Sequence, residues 1–269
     1  KEKSTNYAVA MKVCPIEKTS ACFLEQEIKI HKSIDDSNIA KMFASFHDDI
    51  NYYMILELHI GGNLFPYVQN DRLSNKQIAT FLMQLVNAVQ YLHSKFIIHR
   101  DIKAENIILT SDVQSIKLID FGISKQLSSK EEKTKTWCGT PSMMAPEIVR
   151  GDPYSMLADV WSIGCLFCEH FFQRNDVFGF EQFTEEVRAT LKQIRQMMKK
   201  ALPSKADWMI EVRNNDKVSS TFAVQLNDPV RKFITNMMMI KPTSRLKLSE
   251  FATQEWIISN TPSELNHNE

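Results

Sequence analysis

A chain of 269 residues with 43% hydrophobic content suits a globular protein with a sizeable core, arranged as one large or two small domains. Its 32 basic and 32 acidic residues cancel, so bulk charge gives no reason to expect nucleic acid or an anionic membrane as a partner. No apolar run is long enough to span a bilayer, Lys1-Glu2-Lys3 opens no signal peptide, and five cysteines make no disulfide framework. The expected location is therefore intracellular and reducing, cytoplasmic or nuclear.

The first predicted element, Tyr7 to Val13, is rich in small and β-branched residues and reads as a strand with Lys12 near its end. Ser20 to Ile34 has a helical stripe of Phe23, Leu24, Ile28, Ile30 and Ile34, with Glu25, Glu27 and His31 between them. Two more strands are predicted near Ile39 to Phe46 and Asn51 to Glu57, around the polar turn His47-Asp48-Asp49. Leu58 to Asn63 contains a glycine pair and reads as a linker. Ser74 is the predicted N-cap of a long helix, Asn75 to Ser94, with apolar residues from Ile78 to Leu92 on one face. Ile107 to Leu109 and Ile116 to Ile119 are two short strands framing the turn Thr110 to Ser115. Ile163 to Phe172 reads as helix, and its Cys165 and Cys168 lack the second ligand pair a zinc site needs, so they count as core. Phe180 to Lys200, Asp228 to Met239 and Leu246 to Trp256 are predicted helices. Pro203 to Ser220 is an expected inserted loop, Met237 to Met239 core filler, and Ser259 to Glu269 a polar tail.

The most informative stretch is His99-Arg100-Asp101-Ile102-Lys103-Ala104-Glu105-Asn106, followed fourteen residues on by Asp120-Phe121-Gly122. An acid, a lysine and an amide at fixed offsets, and then a second acid before a glycine, are the groups that phosphoryl transfer requires. Taken singly, each acid reads as a capping or turn carboxylate and Lys12 as a solvated lysine at a strand end. Together the motifs H-R-D-x-K-x-x-N and D-F-G resemble those of a eukaryotic protein kinase catalytic domain of serine/threonine type, similar to the calcium/calmodulin-dependent and cyclic-nucleotide-dependent groups. The resemblance runs from Tyr7 to about Ile258.

That resemblance implies an α+β, bilobal fold: residues 1–58 as a partial, mainly antiparallel small lobe, 59–62 as hinge, 63–258 as a mainly helical large lobe and 259–269 as a tail. It implies ATP and Mg²⁺ as cofactors and serine or threonine hydroxyls of proteins as acceptors. Asp101 would accept or orient the hydroxyl proton and Lys103 would steady the moving phosphoryl, with Asn106 and Asp120 as Mg²⁺ ligands. Lys12 would hold the nucleotide phosphates and pair with a helix glutamate. Glu25 and Glu27 compete, and the family spacing to Asn38-Ile39 favours Glu27. Glu57 and His59 would offer their backbones to adenine, with Leu56 at the back of the pocket, Ala10 and Ile108 as its walls, and Asn63 within reach of ribose. Thr140, in Gly139-Thr140-Pro141, and Glu105 are assigned to the substrate side. Glu147, in Ala145-Pro146-Glu147, should pair with Arg245, and Asp159 should hold the catalytic loop's backbone. Arg100 beside Asp101 suggests control by an upstream kinase through phosphate on Thr136, with Thr134 as runner-up.

The sequence departs from the family in four places. His31 stands where a residue facing the D-F-G phenylalanine is usually apolar; a packed or half-exposed histidine is the plain expectation and a pH-sensitive position the alternative. Asn63 replaces a common glutamate, and Met143 a common tyrosine. Only eleven residues precede Lys12, and no G-x-G occurs in the chain. The expectations are an exposed Lys12 strand edge and weak nucleotide affinity, with a catalytically weak scaffold domain as the alternative function.

Overall fold

Strand β1 (Val9–Pro15) pairs antiparallel with β3 (Asn51–Glu57), which pairs antiparallel with β2 (Met42–His47), giving a sheet of order β1-β3-β2. These belong to a computed structural model that describes residues 8–18, 20–70, 72–173 and 228–261. Alternation decides the faces: Cys14, Met42 and Met54 turn inward and pack with Leu24 of helix α1 (Ala21–Lys32), while Met11, Val13 and Phe46 face outward. The strand predicted from Ile39 begins only at Met42, because Ile39 instead makes a parallel bridge to Leu118.

The rest is mainly helical. A short helix α2 (Phe65–Gln69) leads to α3 (Asn75–Ser94), whose bounds match the sequence reading. Its start is fixed by a capping box: Ser74 Oγ accepts from the Gln77 N–H, and Gln77 Oε1 accepts from the Ser74 N–H. Its existence rests on burial. A cap is worth about 1 kcal/mol, whereas a buried branched side chain contributes about 1.5–3 kcal/mol, and α3 buries Ile78, Phe81, Leu82, Leu85, Val86, Val89 and Leu92. Against it lie two two-stranded ribbons. One pairs β4 (Ile97–Ile98) with β7 (Lys125–Gln126), the other β5 (Ile107–Leu109) with β6 (Ile116–Leu118).

Helices α4 (Pro146–Arg150), α5 (Leu157–Gln173), α6 (Asp228–Met237) and α7 (Glu255–Asn260) complete the described core. Cys165 and Cys168 are buried on α5, and Met237 and Met238 are buried beside it. Gly164 is required there, since a Cβ would stand 2.8 Å from Met238 Cγ and 3.0 Å from Met237 Cβ. One predicted helix is corrected. Leu246 to Trp256 is a 3₁₀ turn, Leu248–Thr253, an extended Gln254, and only then α7. Leu246, Phe251 and Trp256 are all buried but five residues apart, a spacing that one straight helix face cannot supply. The expectations for Phe180 to Lys200, Pro203 to Ser220 and most of the tail lie outside the described residues.

Candidate active site

Two charged clusters form the candidate site, one joining a strand, a helix and a loop, the other carried by loops. In the first, Lys12 Nζ lies 2.6 Å from Glu27 Oε1 and 3.0 Å from Asp120 Oδ1, joining β1, α1 and the loop after β6. Of the two competing glutamates it is Glu27 that turns inward; Glu25 is exposed, with the Tyr52 hydroxyl 3.4 Å from its Oε1. Burial pulls Lys12 toward neutrality, but the two carboxylates outweigh it and raise its pKa, so the ammonium stays charged. Burial likewise pushes Asp120 up, and Lys12 more than reverses this, holding it below the usual carboxylate range.

In the second cluster every oxygen of Asp101 is engaged. Oδ1 accepts from the Thr140 N–H at 3.0 Å and from the Thr140 hydroxyl. Oδ2 meets Lys103 Nζ at 2.9 Å and Asn106 Nδ2 at 2.9 Å. Lys103 Nζ also donates to Thr140 Oγ1 at 2.7 Å. Burial raises the Asp101 pKa, but the hydrogen bonds from Thr140 and Lys103 win and hold it low, so the carboxylate is ionised at neutral pH.

Both loops are held in uncommon backbone conformations. Arg100 has φ 71° and Asp120 φ 64°, left-handed values that cost a side-chain-bearing residue roughly 1–2 kcal/mol. Buried Asp159 at the start of α5 compensates by accepting the N–H groups of His99 and Arg100, both at 3.0 Å, and His93 Nε2 at 2.8 Å. Gly139 (φ 112°) closes the loop onto Arg100; a Cβ there would stand 2.6 Å from the Arg100 carbonyl oxygen. Phe121 is fully buried between two imidazoles, His31 at 4.6 Å and His99 at 5.1 Å between ring centroids. His31 is packed, as expected, with Nε2 2.7 Å from the Ala40 carbonyl oxygen, and burial lowers its pKa.

Asn106 and Asp120 suit a hard divalent cation. Asn106 commits Nδ2 to Asp101, which leaves Oδ1 as its remaining acceptor, and Asp120 Oδ2 has no donor among the described residues. Two oxygen donors fit Mg²⁺, which keeps waters and phosphate oxygens as its other ligands. No group of three or more histidine, cysteine or acidic ligands occurs among the described residues.

The residues assigned to the nucleoside lie on β1, β3, the linker and β5. Ala10 pairs with Leu56 in the sheet, and Asn63 bridges to Ile108 of β5. Glu57 ends β3, and the half-buried His59 follows within the linker. Glu105 is exposed on the turn before Asn106. Thr136 is exposed and Thr134 buried, the latter paired through its backbone with Tyr154. Arg100 does not touch Thr136; its guanidinium donates to the Ile123 carbonyl and to the Tyr154 hydroxyl, which in turn donates to the Thr136 carbonyl at 2.7 Å. Tyr154 and Lys125, whose Nζ is 3.2 Å from Thr134 Oγ1, are the site neighbours that sequence reasoning missed. A lysine five residues after Asp120 was a weak signal for one of them, and Tyr154 gave none.

Comparison with known proteins gives a family model described as "Protein kinase domain" matching residues 1–257. The chain is 38% identical over 171 residues to serine/threonine-protein kinase PLK4 of Nematostella vectensis, 62% of this chain and 17% of that protein. It is 30% identical to a "probable myosin light chain kinase" of Dictyostelium discoideum over 98% of this chain and 79% of the relative. An Aurora kinase of Candida glabrata is 31% identical over 89% of this chain and 59% of its own length. The chain thus spans less than two thirds of two of these three relatives.

Proposed function

This chain belongs to the protein kinase family, serine/threonine type, and on that premise we propose how its own residues transfer the γ-phosphoryl of ATP to a protein hydroxyl. The single observation that carries the reading is the convergence of Thr140, Lys103 and Asn106 on Asp101. A carboxylate so held is ionised and aimed, which suits it to accept or orient the hydroxyl proton without an unusual pKa. Lys103, already shared between Asp101 and Thr140, places a cation where the transferring group carries negative charge. Lys12 is held by Glu27 for the phosphates, and the backbones of Glu57 and His59, with Ala10, Leu56, Asn63 and Ile108 around them, receive the nucleoside. Mg²⁺, held by Asn106 and Asp120, supplies neutralisation of phosphate charge when bound. Glu105 and Thr140 face the polypeptide acceptor.

Regulation is assigned to the activation loop, from Gly122 to about Met144. Thr136 is the exposed threonine, and Lys125 and Arg100 lie one contact away through Thr134 and Tyr154. A phosphate added there by an upstream kinase would gain charge-assisted bonds from both cations and fix the loop. No helix among the described residues is long and apolar enough to cross a membrane, and an intracellular setting suits ATP-dependent signalling. The scaffold alternative rests on the lack of a G-x-G alone, since Lys12, Glu27, Asp101, Lys103, Asn106 and Asp120 are all present.

The test is transfer of labelled γ-phosphate to a mixed serine-, threonine- and tyrosine-containing polypeptide. Mg²⁺-dependent label on serine or threonine alone supports the reading; label on tyrosine, or none with the phosphorylated enzyme, overturns it. For Thr136→Ala the expected outcome is loss of the activation that phosphorylation gives the parent, read as the ratio of rates before and after treatment.

A further inference from the structure

The hinge between the sheet and the helical part carries a side-chain arrangement that the phosphoryl-transfer reading does not use. Glu57 is the last residue of β3, and its backbone N–H donates to the Lys41 carbonyl at 2.8 Å. Its carboxylate doubles that attachment, with Oε2 accepting from the Lys41 N–H at 3.1 Å. The same carboxylate reaches across to the other part of the molecule. Lys117 Nζ, on β6, stands 3.2 Å from Oε1 and 3.1 Å from Oε2.

Lys117 lies opposite Ile108 in the β5–β6 ribbon, and Ile108 bridges to Asn63 at the far end of the hinge. The path Glu57, Lys117, Ile108, Asn63 therefore closes on itself, strapping both ends of residues 58–62 to one ribbon. The contact spans sixty residues of sequence and is mostly shielded, with side-chain exposures of 20% for Glu57 and 15% for Lys117. A pair so placed is stronger than a surface ion pair, for which about 0–1 kcal/mol is usual. His59 adds to the shielding. Its buried Nε2 lies 3.1 Å from Glu57 Oε1, within ion-pair distance, so the ring closes the third side of the carboxylate. Burial raises the Glu57 pKa, but the Lys41 N–H and Lys117 together lower it further, and the charge persists.

We propose that the Glu57 carboxylate is a positioning group for the nucleotide: with Lys117 it fixes both ends of the hinge and so presets the backbone groups that meet the adenine edge. This rests on the nucleotide site described above. A hinge free to shift by about 1 Å misaligns several short hydrogen bonds at once, a loss borne by binding rather than by the transfer step.

The experiment compares the parent with Glu57→Gln, Lys117→Met and the double variant, using hydrogen exchange of the amides of residues 58–62 without nucleotide, and ATP KM and kcat. Glu57→Gln keeps the shape and an acceptor while removing the charge. Each single variant is expected to speed hinge exchange and raise the ATP KM by about tenfold, with kcat within about twofold of the parent. The double variant should be no worse than either single, because the two groups act as one unit. Lys117→Arg should restore most of the affinity. Parental KM in both single variants, a loss confined to kcat, or multiplying effects in the double variant would overturn the proposal. A parent that binds no nucleotide would instead bring down the site reading and this proposal with it, and the exchange data tell the two failures apart: a slow parental hinge that quickens in the variants leaves the strap intact and faults the nucleotide assignment.

Discussion

The Glu147–Arg245 pair and the Lys12 bridge both join distant parts of the chain through charge, yet they are built differently. Arg245 places both terminal nitrogens on Glu147, at 2.7 and 2.6 Å, and spends its other donors on the Leu157 and Met239 carbonyls. Its side chain is fully buried and its guanidinium lies 5.3 Å from the centre of the Trp161 ring. Lys12 instead makes single bonds to two acids, one buried and one 45% exposed. The first arrangement engages all three guanidinium nitrogens, through four of their five N–H groups, in a fully buried setting closed to a ligand. The second leaves exposed charge beside a carboxylate oxygen that lacks a donor among the described residues. Saturation marks the structural pair, and incomplete saturation marks the one available for chemistry.

Breaking each pair should separate stability from activity. The largest stability effect is expected for Arg245→Met, about 3–5 kcal/mol in chemical denaturation, because Glu147 is left buried and unpaired. Lys12→Met also leaves Glu27 buried without its cation, but burial already raises that carboxyl's pKa, so it can take up a proton. The cost is therefore smaller, about 1–2 kcal/mol, while phosphate transfer falls by about 10²–10³-fold, as for loss of one stabilising donor at a transferring group. Similar stability losses in the two variants would erase the distinction.

The smallest effect concerns His31. Its folded pKa lies below the unfolded value, so the unfolded chain takes up the proton first and stability falls as pH drops below about 6.5. His99, buried edge-on to Phe121, is lowered in the same direction by burial and adds to the same limb. His31→Leu should therefore flatten the decline of unfolding free energy between about pH 6.5 and pH 5 without removing it. An unchanged slope in denaturant midpoints across that range would show that His31 does not contribute.

What was legible in the sequence follows the range of the interactions. Helix α3 was read to the residue because its capping box and apolar stripe are local. Glu27 was separable from Glu25 only through family spacing, since both fit the same helix; the fold then places Glu27 inside. The H-R-D and D-F-G motifs lie fourteen residues apart and were readable as a set. Tyr154, Lys125 and Lys117 were not, because each matters through a partner on another element, sixty residues away for Lys117. The end of the large helical part misled for a physical reason: Phe251 and Trp256 are both core residues, but the chain between them turns instead of continuing a helix.

Asp101→Asn offers the most direct test of the central claim, with ATP affinity by calorimetry and single-turnover transfer measured on the same preparations as the parent. Asparagine keeps the shape and removes the charge that Thr140 and Lys103 hold. The account predicts nucleotide affinity within about twofold and transfer reduced by about 10²–10⁴-fold. Equal transfer by the variant and the parent would contradict it.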